Sequence, residues 1–278
     1  MAQLRFAYNT NGLAHHRLAD AIDLVADLGY VGVALTPDVP HLDPYVATAK
    51  EVDAVAAHLE RRGLDVCIQT GARFLIDPRR KHQPTLLDPD ASERDRRVAF
   101  LERCLDLGRD LGAQVLAFWS GSPPAPEPRD VLDVRMVDGA RRVADAAAAR
   151  GMVAAFEPEP GMHVETLAGW AALRDAAAHP ALRLARDVGH VHCNREGDVA
   201  ALTETYAADL ADVQVEDMRE GEHLHLPFGE GTLDLAPVLA ALARTGYDGL
   251  VGVELSRDSH RAPTIAAAAI EHLRRIHP

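Results

Sequence analysis

The chain has 278 residues, of which 47% are hydrophobic, and a formal net charge of −13 at pH 7. This length is enough for a large core, and we expect residues 1–278 to form a single domain. Because an acidic chain repels nucleic acid and anionic membrane surfaces, neither is an expected partner.

The cysteines and the N-terminal segment indicate which kinds of stabilisation and which cellular location to expect. Three widely spaced cysteines without a CxxC motif argue against a disulfide framework and against a thiolate zinc site. The N-terminus lacks the apolar stretch of a signal peptide, and no run approaches the roughly 18 apolar residues that span a bilayer. We therefore expect a soluble, cytoplasmic protein.

Short apolar runs alternate with longer, alanine-rich amphipathic stretches along the chain. The predicted strands are residues 5–8, 31–35, 66–69, 115–119, 153–156, 182–185, 213–215 and 251–255. The predicted helices are residues 16–28, 44–62, 92–111, 130–150, 166–178, 198–210, 235–245 and 262–276. The longest irregular stretches are residues 71–89, 121–128 and 218–232, and each of them follows a strand.

The strands are nearly continuous apolar runs, which is typical of parallel strands that helices cover on both faces. Eight uninterrupted strand–helix units predict a (β/α)₈ TIM barrel. A doubly wound open sheet is the alternative. It usually has fewer strands, and no glycine-rich nucleotide loop follows the first strand here.

The last four predicted strands each end on a residue that can offer oxygen to a metal, namely Glu157, Asp187, Gln214 and Glu254. Such side chains are costly to bury without a partner. Because adjacent barrel strands lie about 4.8 Å apart, four neighbouring ends can surround one ion. Three carboxylates and an amide favour one Mn²⁺ or Mg²⁺ ion, with Zn²⁺ or Co²⁺ as alternatives. For any one of these four residues, a hydrogen bond to a loop amide explains the polar side chain equally well.

Further polar residues near the same strand ends are candidates for substrate contacts. Glu159 follows the fifth strand, although a capped loop also explains it. His190 follows the sixth strand, and His223 and His225 lie in the loop after the seventh. We expect the histidines to contact substrate, with a second metal site as the alternative.

The earlier strands carry candidates for substrate binding as well. A basic run that includes Arg73, Lys81 and His82 follows the third strand. Against the negative net charge, it predicts a landing site for an anionic or polyhydroxylated substrate. Trp119 ends the fourth strand, where an aromatic ring can stack on a sugar. The alternatives are a solvated loop for the basic run and a lid over the core for the tryptophan.

Several of these segments together resemble the xylose-isomerase-like TIM-barrel superfamily, and the resemblance covers essentially the whole chain. The segments are Phe156-Glu-Pro-Glu-Pro-Gly, Arg186-Asp-Val-Gly-His, Val213-Gln-Val-Glu-Asp-Met, Phe228-Gly-Glu-Gly and Gly252-Val-Glu-Leu-Ser. The superfamily contains sugar isomerases and epimerases, inosose dehydratases and apurinic endonucleases. These motifs are specific for the superfamily but not for a substrate.

The resemblance implies a metal-dependent sugar isomerase or epimerase that works through an enediolate. It implies that Glu157 and Glu254 form the acid/base pair, that Asp187 is a metal ligand and that His190 lies near the substrate or a second metal. Relatives usually carry a metal-binding histidine where this chain has Gln214. A metal-dependent lyase acting on the same site is the main alternative, by dehydration of a keto-cyclitol or cleavage of a sugar conjugate. A nuclease and a non-catalytic sugar-binding barrel rank lower, and a homodimer is left open.

Overall fold

The computed structural model describes residues 3–277. Its strands are Arg5–Asn9 (β1), Gly32–Leu35 (β2), Asp65–Gln69 (β3), Val115–Trp119 (β4), Val153–Glu157 (β5), Leu182–Asp187 (β6), Leu210–Val215 (β7), Asp217–Arg219 (β8), Glu222–Leu226 (β9) and Leu250–Val253 (β10). Strands β1 to β7 and β10 pair in parallel and close into a barrel, in which β10 lies between β7 and β1. The predicted (β/α)₈ TIM barrel is therefore confirmed.

Helices cover the outside of the barrel. They are Leu18–Asp27 (α1), Ala49–Arg62 (α2), Ala91–Leu111 (α3), Arg129–Ala148 (α4), Leu167–Ala177 (α5), Val188–Cys193 (α6), Val199–Thr205 (α7), Ala236–Thr245 (α8) and Ala262–Ile276 (α9). Local capping fixes several of their starts: Thr48 and Glu51 form a reciprocal capping box at the start of α2. Within residues 3–277, no helix is both long and apolar enough to cross a lipid bilayer.

The segment between α6 and β7 differs from the sequence prediction. The predicted helix 198–210 was too long, because α7 ends at Thr205 and a 3₁₀ turn at Ala207–Asp209 leads into β7. Strand β7 begins at Leu210, which pairs with Leu184 of β6. Pairing with a neighbouring strand outweighs the helical pattern of this short stretch.

The loop after β7 also holds more structure than expected. Strands β8 and β9 form an antiparallel hairpin, nearly all of it in the stretch 218–232 that the sequence presents as irregular. Its strands are short and mostly polar, so they lack the apolar pattern on which strand prediction depends. The hairpin matters because it carries His223 and His225 back over the barrel mouth.

The interior of the barrel is lined by small side chains beneath a polar layer. Two clusters separate from the main core consist mainly of alanines; they contain Ala7, Ala34, Cys67 and Leu250 in one case and Ala117, Ala155 and Ala185 in the other. Asn9 and Gln69 lie two residues beyond Ala7 and Cys67, and strand alternation therefore places them on the same inward face. The small residues leave room for polar side chains at the carboxyl ends of the strands.

Candidate active site

A cavity of about 620 Å³ opens at the carboxyl ends of the barrel strands. The sequence-predicted residues that line it are Glu157, Glu159, His190, Gln214, His223, His225, Glu254, Arg73, Lys81, His82 and Trp119. Asp187 does not line the cavity itself; it is only 2% exposed and lies behind the histidines. This end of a TIM barrel is where enzymes of that fold carry their chemistry.

Asp187 joins β6 to α6 and orients the first histidine of the site. Its Oδ1 caps the short helix by accepting a hydrogen bond of 3.0 Å from the backbone N–H of His190. The Nδ1 of His190 lies 3.2 Å from the carbonyl oxygen of Pro158, so that nitrogen donates its proton there. The Nε2 is left with a free lone pair, 3.7 Å from Asp187 Oδ2.

The β8–β9 hairpin brings two more histidines to the same point. His223 Nε2 lies 3.0 Å from His190 Nε2, and His225 Nδ1 lies 3.8 Å from an oxygen of Glu216. The three rings of His190, His223 and His225 have centroids within 5.6 Å of one another. The structure therefore gathers histidines that are up to 35 positions apart in the sequence.

Glu216 is a member of this cluster to which the sequence analysis gave no role. It is fully buried, and neither of its carboxylate oxygens has a hydrogen-bond partner among residues 3–277. Space for it depends on Gly189, where a Cβ atom would stand 1.9 Å from Glu216 Oε1. Its spacing of two from Gln214 was the available signal, but β7 ends at Val215, so alternation alone did not decide its direction.

Crowded carboxylates dominate the electrostatics of the cavity floor. Burial raises the pKa of Glu157 well above its usual range, and the nearby charges of Glu159 and Glu254 raise it further. Burial and Glu254 likewise raise the pKa of Glu159 to about 8. Burial also raises the pKa of Glu254. These carboxylates repel one another when ionised, and a bound cation would reduce that repulsion.

His225 responds to the same carboxylates in the opposite sense. Burial acts to lower its pKa, but the charges of Glu254, Glu216 and Asp187 outweigh burial and raise the pKa to about 10. For Asp187, burial acts to raise the pKa, yet His190 and His225 outweigh it and the pKa is lowered. The floor of the cavity is thus a set of strongly interacting acids and imidazoles.

The donor atoms on this floor suit a metal ion. Three groups of side chains each hold their donor atoms within 4.8 Å of one another: His190, His223 and His225; Glu157, Asp187 and His190; and Asp187, Glu216 and His225. Several of these atoms are buried without a hydrogen-bond partner in the described part of the chain, namely Asp187 Oδ2, both oxygens of Glu216 and His225 Nδ1. Buried polar atoms without partners are rare, and a bound cation would give the carboxylate oxygens a partner.

Gln214, which the sequence proposes as a metal ligand, has other partners in the structure. Its Oε1 accepts a hydrogen bond of 3.2 Å from Asn9, and its Nε2 donates one of 3.0 Å to Gln69. Gln69 in turn donates to Asp212 over 2.9 Å. Both ends of the Gln214 amide are therefore engaged in a buried chain across the barrel. Three of its members, Asn9, Gln69 and Asp212, were not singled out from the sequence, although each is a polar residue within or beside an apolar run.

Glu254 follows β10 and is held from the first strand–helix loop. Asn11 donates a hydrogen bond of 2.7 Å to Glu254 Oε1. Asn11 is itself fixed, because its backbone N–H donates to the side chain of Asn9 over 3.0 Å. Glu254 lies outside the three close donor groups, and this separation distinguishes it from Glu157.

The wall of the cavity at β3 and β4 has a basic and aromatic character. Arg73 pairs with Asp38 over 3.2 Å, and His82 donates from Nδ1 to the carbonyl of Gly71. The ring of His82 meets Trp119 edge-on, with centroids 5.2 Å apart. Trp119 is the parallel neighbour of Glu157, so this wall adjoins the acidic floor directly.

The fold and the site agree with one protein class. The chain belongs to the xylose isomerase-like TIM barrel family, whose sequence model matches residues 22–276. The resemblance inferred from the motifs is thereby confirmed.

Individual relatives are distant and differ in activity. The chain is 28% identical to a 3-dehydroshikimate dehydratase of Pseudomonas putida over 62% of its own length, but it spans only 28% of that protein. It is 26% identical to a provisionally named hydroxypyruvate isomerase of Streptomyces coelicolor, over 77% of each chain. It is 21% identical to L-ribulose-5-phosphate 3-epimerase of Salmonella paratyphi C, over 64% of this chain and 63% of that one.

A solved structure supports the same fold. The D-allulose 3-epimerase of Methylomonas sp., crystallised with D-allulose, superposes with a TM-score of 0.77. The match covers 99% of this chain and 98% of the epimerase at 18% sequence identity.

Proposed function

We propose that the protein is a divalent-metal-dependent isomerase or epimerase of a sugar or sugar derivative. The observation that carries this proposal is the pair of carboxylates, Glu157 and Glu254, in one cavity beside a cluster of unpaired metal-ligand atoms. The isomerase and epimerase relatives support the reaction class, since each interconverts sugars or small hydroxycarbonyl compounds by name.

Glu157, Asp187 and His190 would hold the metal, with His223, His225 and Glu216 as further ligands. We propose that Gln214 supports this set through its hydrogen bonds rather than binding the ion, because its oxygen already accepts from Asn9. Mixed imidazole and carboxylate ligands suit Mn²⁺, Co²⁺ or Zn²⁺ better than Mg²⁺. When bound, the ion would supply Lewis-acid polarisation of a substrate carbonyl.

Glu157 and Glu254 would move the protons. They leave the barrel on β5 and after β10, and β6 and β7 separate these strands. Carboxylates from two sides of the mouth can address opposite faces of one substrate carbon. One glutamate would remove the proton α to the carbonyl, and the other would return a proton to the resulting enediolate. Return to the same carbon gives epimerisation, and return to its neighbour gives isomerisation.

The dehydratase relative favours one second candidate, a lyase that uses the same site. Removal of the same α-proton leads to elimination when a leaving group stands β to the carbonyl. The site residues are common to both reactions, so the products must decide between them.

The experiment is product analysis on the metal-loaded protein. D-allulose, L-ribulose 5-phosphate, hydroxypyruvate and 3-dehydroshikimate are offered separately, and the products are followed by NMR and mass spectrometry. An isobaric product from a sugar supports the isomerase or epimerase. Loss of water from 3-dehydroshikimate alone would transfer the assignment to the lyase.

A further inference from the structure

The histidine cluster and the cations lie on opposite sides of the cavity. The histidines occupy one side, while Arg73 and Lys81 line the wall that follows β3. In the barrel order, β3 lies directly opposite β7, whose following hairpin carries the histidines. A substrate in this cavity would therefore meet imidazoles at one end and cations at the other, with Glu157 beside the cationic wall.

A third cation lies behind this wall and has no acidic partner. Arg97 of α3 is fully buried, and within residues 3–277 it forms no ion pair and both terminal guanidinium nitrogens lack a hydrogen-bond partner. Its guanidinium carbon stands 4.4 Å from the ring centroid of Trp119 and 5.4 Å from that of Phe100. Stacking on aromatic faces offsets only part of the cost of burying this charge.

The charges of all three cations affect the pKa of His82. Burial lowers the pKa of His82 to about 4, and the charges of Lys81, Arg97 and Arg73 lower it further. The imidazole is therefore neutral at physiological pH. Its Nδ1 proton is committed to Gly71, which leaves Nε2 as an acceptor for a substrate hydroxyl. The positive charge of the wall comes mainly from Lys81 and Arg97, because Arg73 is paired with Asp38 over 3.2 Å.

Other cations of the same basic run are placed differently. Arg80 pairs with Asp77 over 2.6 Å and with Glu93 over 3.8 Å, and neither Arg79 nor Arg80 lines the cavity. Lys81 does line it and forms no ion pair in the described part of the chain. The run is thus divided between an outer, partly neutralised portion and a portion that faces the substrate.

We infer that the wall formed by Arg73, Lys81, His82 and Trp119, with Arg97 behind it, binds an oxyanion carried by the substrate. The oxyanion is a phosphate monoester or a carboxylate, at the end of the molecule remote from the histidine cluster. This inference rests on the proposed function, because it names the substrate class of the same cavity. Arg97 does not line the cavity itself, so the bound anion would offset its buried charge through space, across the ring of Trp119.

The test measures binding of inorganic phosphate and of acetate to the metal-loaded protein by isothermal titration calorimetry. Lys81→Gln should weaken binding of the preferred anion by about tenfold or more, since it removes one charge-assisted contact. Arg79→Gln is the matched control, because it removes the same charge from the same loop outside the cavity; its affinity should stay within about twofold of wild type. Arg97→Met should weaken binding several-fold without altering metal content.

Tighter binding of phosphate identifies a phosphate monoester, and binding of acetate at least as tight identifies a carboxylate. The inference is overturned if the wild type binds neither anion, or if Lys81→Gln binds both as tightly as Arg79→Gln does. The latter result would place any bound anion on the metal instead. If Arg97→Met does not fold, the two loop variants decide alone. If the isomerase assay fails but anion binding still depends on Lys81, the proposed reaction is wrong and the anion site remains supported.

Discussion

The Nε2 atoms of His190 and His223 lie 3.0 Å apart, although 33 positions separate the two residues in the chain. Since His190 donates its Nδ1 proton to Pro158, its Nε2 carries a lone pair directed at the second ring. Two imidazoles held this way can share one proton or bind one cation together. Nearby, Asp187 Oδ2 and both oxygens of Glu216 have no hydrogen-bond partner within residues 3–277, which favours the cation.

Replacing one of these imidazoles should weaken metal binding. His223→Asn removes a nitrogen donor from a half-buried hairpin position, and we expect metal affinity to fall at least about tenfold. Metal content after dialysis and the metal-dependent rise in melting temperature measure the effect. His192→Asn is the control, because His192 lies on the same helix as His190 but bonds to Thr232 over 2.8 Å. Equal metal content in both variants would contradict the proposed ligand role.

The two proposed acid/base residues should be required for turnover but not for folding. Glu157→Gln and Glu254→Gln keep the side-chain shape and remove proton-transfer ability, so kcat should fall by about 10²-fold or more in each. Steady-state kinetics and circular dichroism measure the two properties. Glu220→Gln, at an exposed position paired with Arg195, should leave kcat unchanged. Near-normal kcat in either active-site variant would remove that residue from the mechanism.

Gln214 should matter for stability more than for metal content. Gln214→Ala leaves buried amide groups of Asn9 and Gln69 without partners, which should lower the free energy of unfolding by about 1–3 kcal/mol. Denaturant titration measures this loss, and metal analysis is the companion measurement. Loss of the metal without loss of stability would instead support Gln214 as a ligand.

A side chain at Gly189 should be destabilising while Glu216 is present. In Gly189→Ala the new Cβ would stand 1.9 Å from Glu216 Oε1, and overpacking of this kind should cost about 1–3 kcal/mol. The double variant with Glu216→Ala should recover part of the loss, because the two sites share one space. Strictly additive effects in denaturant unfolding would show that the two residues do not compete.

The neutral state of His82 should appear as a pH dependence of stability. Burial and three nearby cations lower its pKa from 6.5 to about 4, so the unfolded chain binds a proton more readily between these values. The contribution of neutral His82 to the free energy of unfolding is therefore fully present above pH 6.5 and is lost as the pH falls toward 4. The total loss is at most about 3 kcal/mol. His82→Gln should lose stability less steeply than wild type across this interval. Parallel curves in denaturant unfolding would contradict the shifted pKa.

Much of the fold follows from the sequence because burial on both faces leaves a strong local signal. Runs such as Val115–Trp119 are apolar throughout, and strand prediction placed this one with its observed bounds. The β8–β9 hairpin lacks such a signal, since its residues are polar and its position depends on contacts with α6. Strand alternation, applied beyond the end of β7, likewise could not decide where Glu216 points.

In the site, as in the fold, features that depend on local sequence could be predicted and those that depend on distant residues could not. The polar ends of β5 and β6 predict that Glu157 and Asp187 lie close together, because parallel strands end at the same edge. The partners of Gln214 could not be predicted, because Asn9 and Gln69 are far away in the sequence and reach it only across the closed barrel. That Arg97 has no ion-pair partner within residues 3–277 could not be predicted either, because it depends on every element packed around that side chain.

Solvent-deuterium exchange tests the central claim most directly. Metal-loaded protein is incubated in D₂O with D-allulose or L-ribulose 5-phosphate, and the recovered sugars are examined by NMR and mass spectrometry. Proton transfer by Glu157 and Glu254 predicts product sugars with deuterium on the carbon α to the carbonyl, and no such products from the Glu157→Gln and Glu254→Gln variants. Sugar products without deuterium, or variants that form as much deuterated product as the wild type, would contradict the account.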